Sequence, residues 1–367
     1  MKSRIALAAG MTALVMTAVV APSAAGRTVA APATIGAVPV VTGLSFPAAF
    51  TFAPDGRIFF GERLTGEIRI YDPSNGSNTP FVTIPNISTN GERGLLGLAL
   101  HPRYPSRPLV YAYATRNVRG FPKNQIIAIR DAGGIGTSPK ILWSSDTDSG
   151  SYHDGGRILF GPDRRLYAVQ GEGHDQSNAQ DLTNDAGKIL RMTASGGIPP
   201  DNPIPGSRIW VYGIRNSYGF NFDPLTGNLW ETENGPECND ELNSIVRGAN
   251  YGWGPSETCS TPPPPPRNTN QDGPDPVLPQ VWFTPTIAPV GMAFCVGCGI
   301  GDSDGAFFFG AYNTSDIRRA KLSADRQSIT DTAVVYTHSS GPLSMERGPD
   351  SAVYFSDIGG IWKLVQA

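Results

Sequence analysis

The stretch "FGPDRRLYAVQGEG", Phe160 to Gly173, decides the fold. It runs from an aromatic residue through Gly-Pro-Asp into Leu166-Tyr167-Ala168-Val169 and ends on Glu172 between two glycines. Proline presets the first corner of a turn, and the aspartate after it favours a tight reversal. The aliphatic-aromatic run that follows is too short for a helix and suits a strand. The same signal recurs as "FAPDGRIFFGER" from Phe52, "FDPLTGNLWETENG" from Phe222 and "RGPDSAVYFSDIGG" from Arg347. Looser copies are "HPRYPSRPLVYAYATR" from His101 and "GAFFFGAYNTSDIRRAKL" from Gly305. Copies separated by roughly 40 to 80 residues fall in or just above the range for propeller blades. Short sheets packed radially bury one another's faces and leave only short protected edges. The six copies therefore predict an all-β, six-bladed β-propeller, a single domain over residues 40–367. A β-sandwich has no need of six copies of one hairpin signal.

Composition agrees. The chain has 367 residues with 43 glycines and 33 prolines, both helix breakers. Its formal net charge of −3 carries no footprint for nucleic acid. At the N-terminus, Lys2 and Arg4 precede an apolar run from Ile5 to Val20, and Ser23-Ala24-Ala25 supplies small residues for cleavage. Residues 1–25 read as a signal peptide, since the run is shorter than the roughly 20 residues of a membrane-spanning helix. The expected location is secreted or periplasmic, with no membrane span after cleavage. Residues 26–39, rich in Ala, Val and Pro, are predicted to be a disordered linker.

Four cysteines, Cys238, Cys259, Cys295 and Cys298, allow three pairings. An oxidising compartment favours disulfides, and one Cys-x-x-Cys pair is poor support for a four-thiolate zinc site. The favoured pairing is Cys238–Cys259 across a loop and Cys295–Cys298 as a local bridge. The blade rhythm breaks at "GPSETCSTPPPPPRNTNQDGPDPVLPQ", Gly254 to Gln280. Five consecutive prolines cannot lie inside a sheet, so a long loop is expected on one face.

Several motifs carry a resemblance: "ERGLLGLALHP" from Glu92, "HDGGRILFGPD" from His153, "GKILRM" from Gly187, "YGIRNSYGF" from Tyr212, and "ENGPECNDELNSI" from Glu233 with "GANYGWG" behind it. Together they resemble the glucose/sorbosone dehydrogenase family, soluble sugar dehydrogenases that use pyrroloquinoline quinone. The Asp-Glu-Leu-Asn to Asn-Tyr-Gly-Trp segment is highly specific, whereas Gly-Pro-Asp alone is weak. The resemblance implies a six-bladed propeller with a planar quinone tricarboxylate over the channel mouth. It implies that His153 takes the proton of the sugar's anomeric hydroxyl while hydride passes to the quinone, and that Glu172 orients this histidine. Arg215 and Asn216 would face the reactive carbonyl, with Glu92 and Tyr218 beside the cofactor. The carbonyls of Gly235 and Pro236 would hold a calcium ion. The implied partners are an aldose substrate and an external electron acceptor.

These roles have independent chemical sense. Histidine as a residue type titrates near neutrality, and a carboxylate partner fixes its tautomer. Arginine is permanently charged and suits developing negative charge, while calcium takes oxygen ligands. Asp240, Glu241, Asn243 and His101 read instead as structural, and His174-Asp175 as a rim. The chain also departs from the family. Glu92 and Tyr218 stand where the dehydrogenases have glutamines, and the lysine and two arginines that neutralise the cofactor fall at Asn313, Gly341 and Leu343. The aromatic that stacks on the quinone falls near Thr284, close to Trp282. A tricarboxylate is not desolvated without cations or donors. Arg318, Arg319 or Arg347 would have to replace the missing charges. Otherwise the alternative is a non-catalytic propeller that binds carbohydrate or protein through the same face. A calcium-dependent lactonase would need a ring of carboxylates and amides that the sequence does not supply.

Overall fold

Each copy of the Pro-Asp signal turns one antiparallel strand into the next. In the computed structural model, which describes residues 34–259 and 264–367, the motif aspartate accepts the backbone N–H two residues on. Asp55 does so from Arg57, Asp163 from Arg165 and Asp350 from Ala352. The main chain closes the same turns, Ala53 N to Arg57 O at 2.8 Å and Gly348 N to Ala352 O at 2.8 Å. A carboxylate that satisfies a turn amide explains why Asp, and not merely a polar residue, recurs there.

The strands form six four-stranded antiparallel sheets arranged as a β-propeller. The innermost strands of blades 1 to 6 are Pro47–Phe52, Leu95–Leu100, Ile158–Phe160, Ser217–Phe222, Pro289–Phe294 and Ser344–Arg347. Neighbouring innermost strands crowd the axis. A Cβ on Gly97 of blade 2 would lie 2.1 Å from Gly156 O of blade 3, and one on Gly219 of blade 4 would lie 2.2 Å from Val290 O of blade 5. Only glycine permits that approach.

The core lies between blades. Phe59, Ile68 and Phe81 of blade 1 pack on Leu98, Val110 and Ile127 of blade 2. Trp230 of blade 4 meets Phe307 of blade 5 with ring centroids 5.8 Å apart. Each such side chain contributes about 1.5–3 kcal/mol on burial.

Closure corrects one expectation. Strand Ile35–Thr42 pairs with Gly360–Gln366, from Ile35 opposite Gln366 to Thr42 opposite Gly360, and so completes blade 6. Residues 35–39, assigned to a linker from composition, are therefore ladder. Backbone pairing needs no apolar side-chain pattern, so composition could not reveal it. The predicted signal peptide lies outside the described residues. Among the described residues no helix is long and apolar enough to cross a membrane.

Both disulfides have the favoured pairing, with Cα atoms 5.7 Å apart in Cys238–Cys259 and 5.0 Å apart in Cys295–Cys298. The long insertion packs tightly against blade 4. Asn239 Nδ2 donates to Asn268 Oδ1 at 2.5 Å and to Thr269 Oγ1 at 3.0 Å, all three side chains being buried.

Candidate active site

The propeller repeat brings equivalent positions to one place. Residues at or beside the start of all six innermost strands (Ala48, Leu96, Arg157, Tyr218, Val290 and Ser344) line a central cavity of about 470 Å³. The residue directly after the second strand of blades 1, 4 and 5 lines it too: Arg63 after Glu62, Asn234 after Glu233 and Tyr312 after Ala311. Glu92 projects from the loop entering blade 2.

His153 stands in the loop entering blade 3, buried, with a positive φ of 63°. Its backbone N–H donates to Glu92 Oε2 at 2.7 Å. Its ring nitrogen Nδ1 hydrogen-bonds Glu172 Oε1. An ionised carboxylate only accepts, so the proton sits on Nδ1 and Nε2 is left with its lone pair. The ring of His174 stands edge-on to that of His153, centroids 5.0 Å apart.

Glu172 joins this histidine to the arginine. Its backbone N–H donates to Arg215 O at 2.9 Å, and its second oxygen, Oε2, is enclosed without a hydrogen-bond partner among the described residues. The Arg215 N–H donates to Glu233 Oε1 at 2.5 Å, and Nη1 donates to Asn234 O at 2.8 Å. The guanidinium lies over the Trp253 ring, 5.3 Å from its centroid. Burial lowers its pKa, and the nearby carboxylates, Glu172 foremost, resist that shift. Asn216 is fixed between Gly155 N–H, at 3.3 Å from Oδ1, and Glu92 Oε2, at 3.2 Å from Nδ2. Of the predicted set, Glu92 and Tyr218 line the cavity, whereas His153, Glu172, Arg215 and Asn216 do not; they stand behind it, bonded to its lining through Glu92 and Asn234.

Gly235 and Pro236 form a half-exposed corner beside Asn234. Their carbonyls accept no hydrogen bond among the described residues. The corner is held by Asp240, whose carboxylate accepts from Gly235 N at 2.8 Å, Ile287 N at 2.5 Å and Ala288 N at 2.7 Å. Burial pushes Asp240 up to about 6 against the pull of those bonds. Two free carbonyls at a rigid corner are a chemically sound start for a calcium site.

The cationic replacements fall elsewhere. Arg318 pairs with Asp316 at 3.4 Å, Arg319 with Asp302 at 2.5 Å, and Arg347 donates to Val296 O at 2.7 Å. None of the three lines the cavity, because Arg318 and Arg319 lie on the third strand of blade 5 and Arg347 at the end of the innermost strand of blade 6, away from the cavity-lining Ser344. Trp282 and Thr284 do not line it either. The guanidiniums that do are Arg63 and Arg157. Arg157 pairs with Glu346 at 2.6 Å. Arg63 went unnoticed in the sequence, although its place after the second strand matches Asn234 and Tyr312. Aligning blades by that position would have found it.

The family described as Glucose / Sorbosone dehydrogenase matches residues 44–360. An uncharacterised Synechocystis protein, slr1608, is 30% identical over 348 residues, 87% of this chain and 83% of that protein. Quinoprotein glucose dehydrogenase B of Acinetobacter calcoaceticus is 33% identical over 58% of this chain, a match spanning only 51% of that enzyme's length. Among solved structures, the aldose sugar dehydrogenase of Streptomyces coelicolor in its PQQ-bound form superposes with a TM-score of 0.77 at 28% identity, covering 91% of this chain and 98% of that one.

Proposed function

Because the chain belongs to the glucose/sorbosone dehydrogenase family, we propose that it is an exported aldose dehydrogenase that uses pyrroloquinoline quinone and calcium and forms the lactone. Two enclosed donors of the cavity lining without a well-aligned partner among the described residues, Arg63 Nε and the Tyr218 hydroxyl, support a polycarboxylated ligand, and Arg215 Nε behind them is also unpartnered. Buried donors of this kind call for acceptors, so the residues fit the group. When bound, the quinone supplies a two-electron acceptor for the hydride leaving the anomeric carbon. His153 takes the anomeric hydroxyl proton at Nε2, the nitrogen that Glu172 leaves open, and the Glu172 carboxylate stabilises the imidazolium that results. Arg215, held by Asn234 O and Trp253, keeps a fixed positive charge beside the reacting groups without reorganising. Gly235 and Pro236 would supply the carbonyl ligands for calcium. An external acceptor then removes the electrons.

The observation that carries this reading is the His153–Glu172 pair tied through Glu172 N–H to Arg215, bonded in turn to the cavity-lining Glu92 and Asn234. Protein reconstituted with the quinone and calcium should reduce a redox dye with glucose or another aldose, and His153→Ala should abolish turnover while keeping the melting temperature. No dye reduction with a panel of aldoses, and no thermal shift with the quinone, would reject the proposal. Glycan binding that survives His153→Ala would then favour the non-catalytic reading.

A further inference from the structure

We propose that Arg63 and the Tyr218 hydroxyl form an anion-recognition corner of the central cavity that grips a carboxylate of a planar aromatic polycarboxylate. Arg63 follows strand Ile58–Glu62 of blade 1 and faces the cavity. Its guanidinium lies 4.4 Å from the centroid of the Phe46 ring, and Nη1 donates to Gly91 O at 3.1 Å. These contacts fix the plane of the fork yet leave Nε enclosed with no partner among the described residues. Tyr218, from blade 4, lines the same cavity. Its hydroxyl is enclosed beside the Glu92 carboxylate and the Asn216 amide, close enough for both to perturb it, without a well-aligned hydrogen bond to either.

The other charges nearby are already engaged. Arg157 is bound to Glu346 at 2.6 Å. Glu92 Oε2 accepts from His153 N and Asn216 Nδ2. Among the described residues, Arg63 is therefore the cavity-lining guanidinium that pairs with no carboxylate, and burial lowers its pKa. An acceptor arriving from the cavity removes that penalty. A carboxylate meets the planar fork with two parallel bonds, which a point anion does not. Phe46, Tyr312, Leu96, Val290 and Leu343 supply flat and apolar walls, so the carboxylate belongs on an aromatic body.

The inference rests on the proposed function only in taking the quinone as the natural ligand, so two probes separate them. Calcium-loaded protein is titrated with pyrroloquinoline quinone and with redox-inert benzene-1,3,5-tricarboxylate, each followed calorimetrically. Arg63→Ala should weaken both by about 10- to 100-fold, the range for charge-assisted hydrogen bonds. Arg63→Lys should fall between, Tyr218→Phe should lose a few-fold, and Arg318→Ala on the blade flank should lose nothing. Arg63-dependent binding of the tricarboxylate, with no quinone-supported dye reduction, would uphold this corner and sink the dehydrogenase. Wild-type affinity for both probes in Arg63→Ala, or no binding of either probe to the wild type, would overturn the corner itself. If Arg63→Ala does not fold, Arg63→Lys and Tyr218→Phe decide by the same criterion.

Discussion

His153 and His174 both hold positive φ angles, 63° and 67°, in a region that L side chains disfavour. Gly173 N–H donates to His153 O at 3.1 Å, so the two loops hold each other in that geometry. Such conformations persist only where the surroundings over-determine them, and they collect at functional sites. Glu172 works through His153, so its removal should show in kcat and leave KM nearly alone. Glu172→Gln is expected to lower kcat by about 10²-fold, with Glu172→Asp recovering part of it. Parallel losses in kcat, KM and melting temperature would instead mark Glu172 as structural. His153 and Glu172 were legible because each sits in a conspicuous local setting, a histidine before paired glycines and a carboxylate at a strand exit. Arg63 was not, because "GERLTG" looks like an ordinary solvated hairpin until the blades are closed into a ring.

At the scale of one element, the hairpin Leu229–Glu233 and Asp240–Ile245 of blade 4 hides three glutamates besides Asp240. Glu231, Glu233 and Glu241 are all buried, and the Asn243 amide donates to Glu231 at 3.0 Å and to Glu241 at 3.1 Å. The alternation in "ETENG" suggests a solvated face, but the insertion from blade 4 covers it, with Asn270 Nδ2 on Glu241 at 3.2 Å. Sequence periodicity cannot register a cover that comes from another part of the chain. Burial raises Glu231 to about 7 and Glu241 to about 8, from an ordinary value of 4.5. The folded state therefore binds more protons than the unfolded chain between about pH 4.5 and 8, and stability falls as pH rises through that window. Melting in the presence of a chelator should be higher at pH 5 than at pH 8, and Glu231→Gln should flatten the slope. A melting temperature that climbs across this range would contradict the assignment.

Across the whole molecule, the number of blades and their architecture were readable because one turn chemistry repeats six times, whereas the closure of the ring was not. Strand Ile35–Thr42 is held by backbone pairing and by Ile35 and Ala37, which pack beside Trp362 and Leu364. Removing residues 1–42 should lower the melting temperature, because the ladder to Gly360–Gln366 and the packing of Ile35 and Ala37 are lost. An unchanged transition would show that blade 6 stands with three strands. The ion pair between Arg157 and Glu346 has a wider effect, since blades 3 and 6 face each other across the axis and the bridge spans it. A vessel stoppered at the bottom fills and empties through its neck. The deepest occupant must then enter first and leave last, so, if the proposed quinone lies below the sugar, excess sugar should slow reconstitution of the apoprotein by blocking the way in.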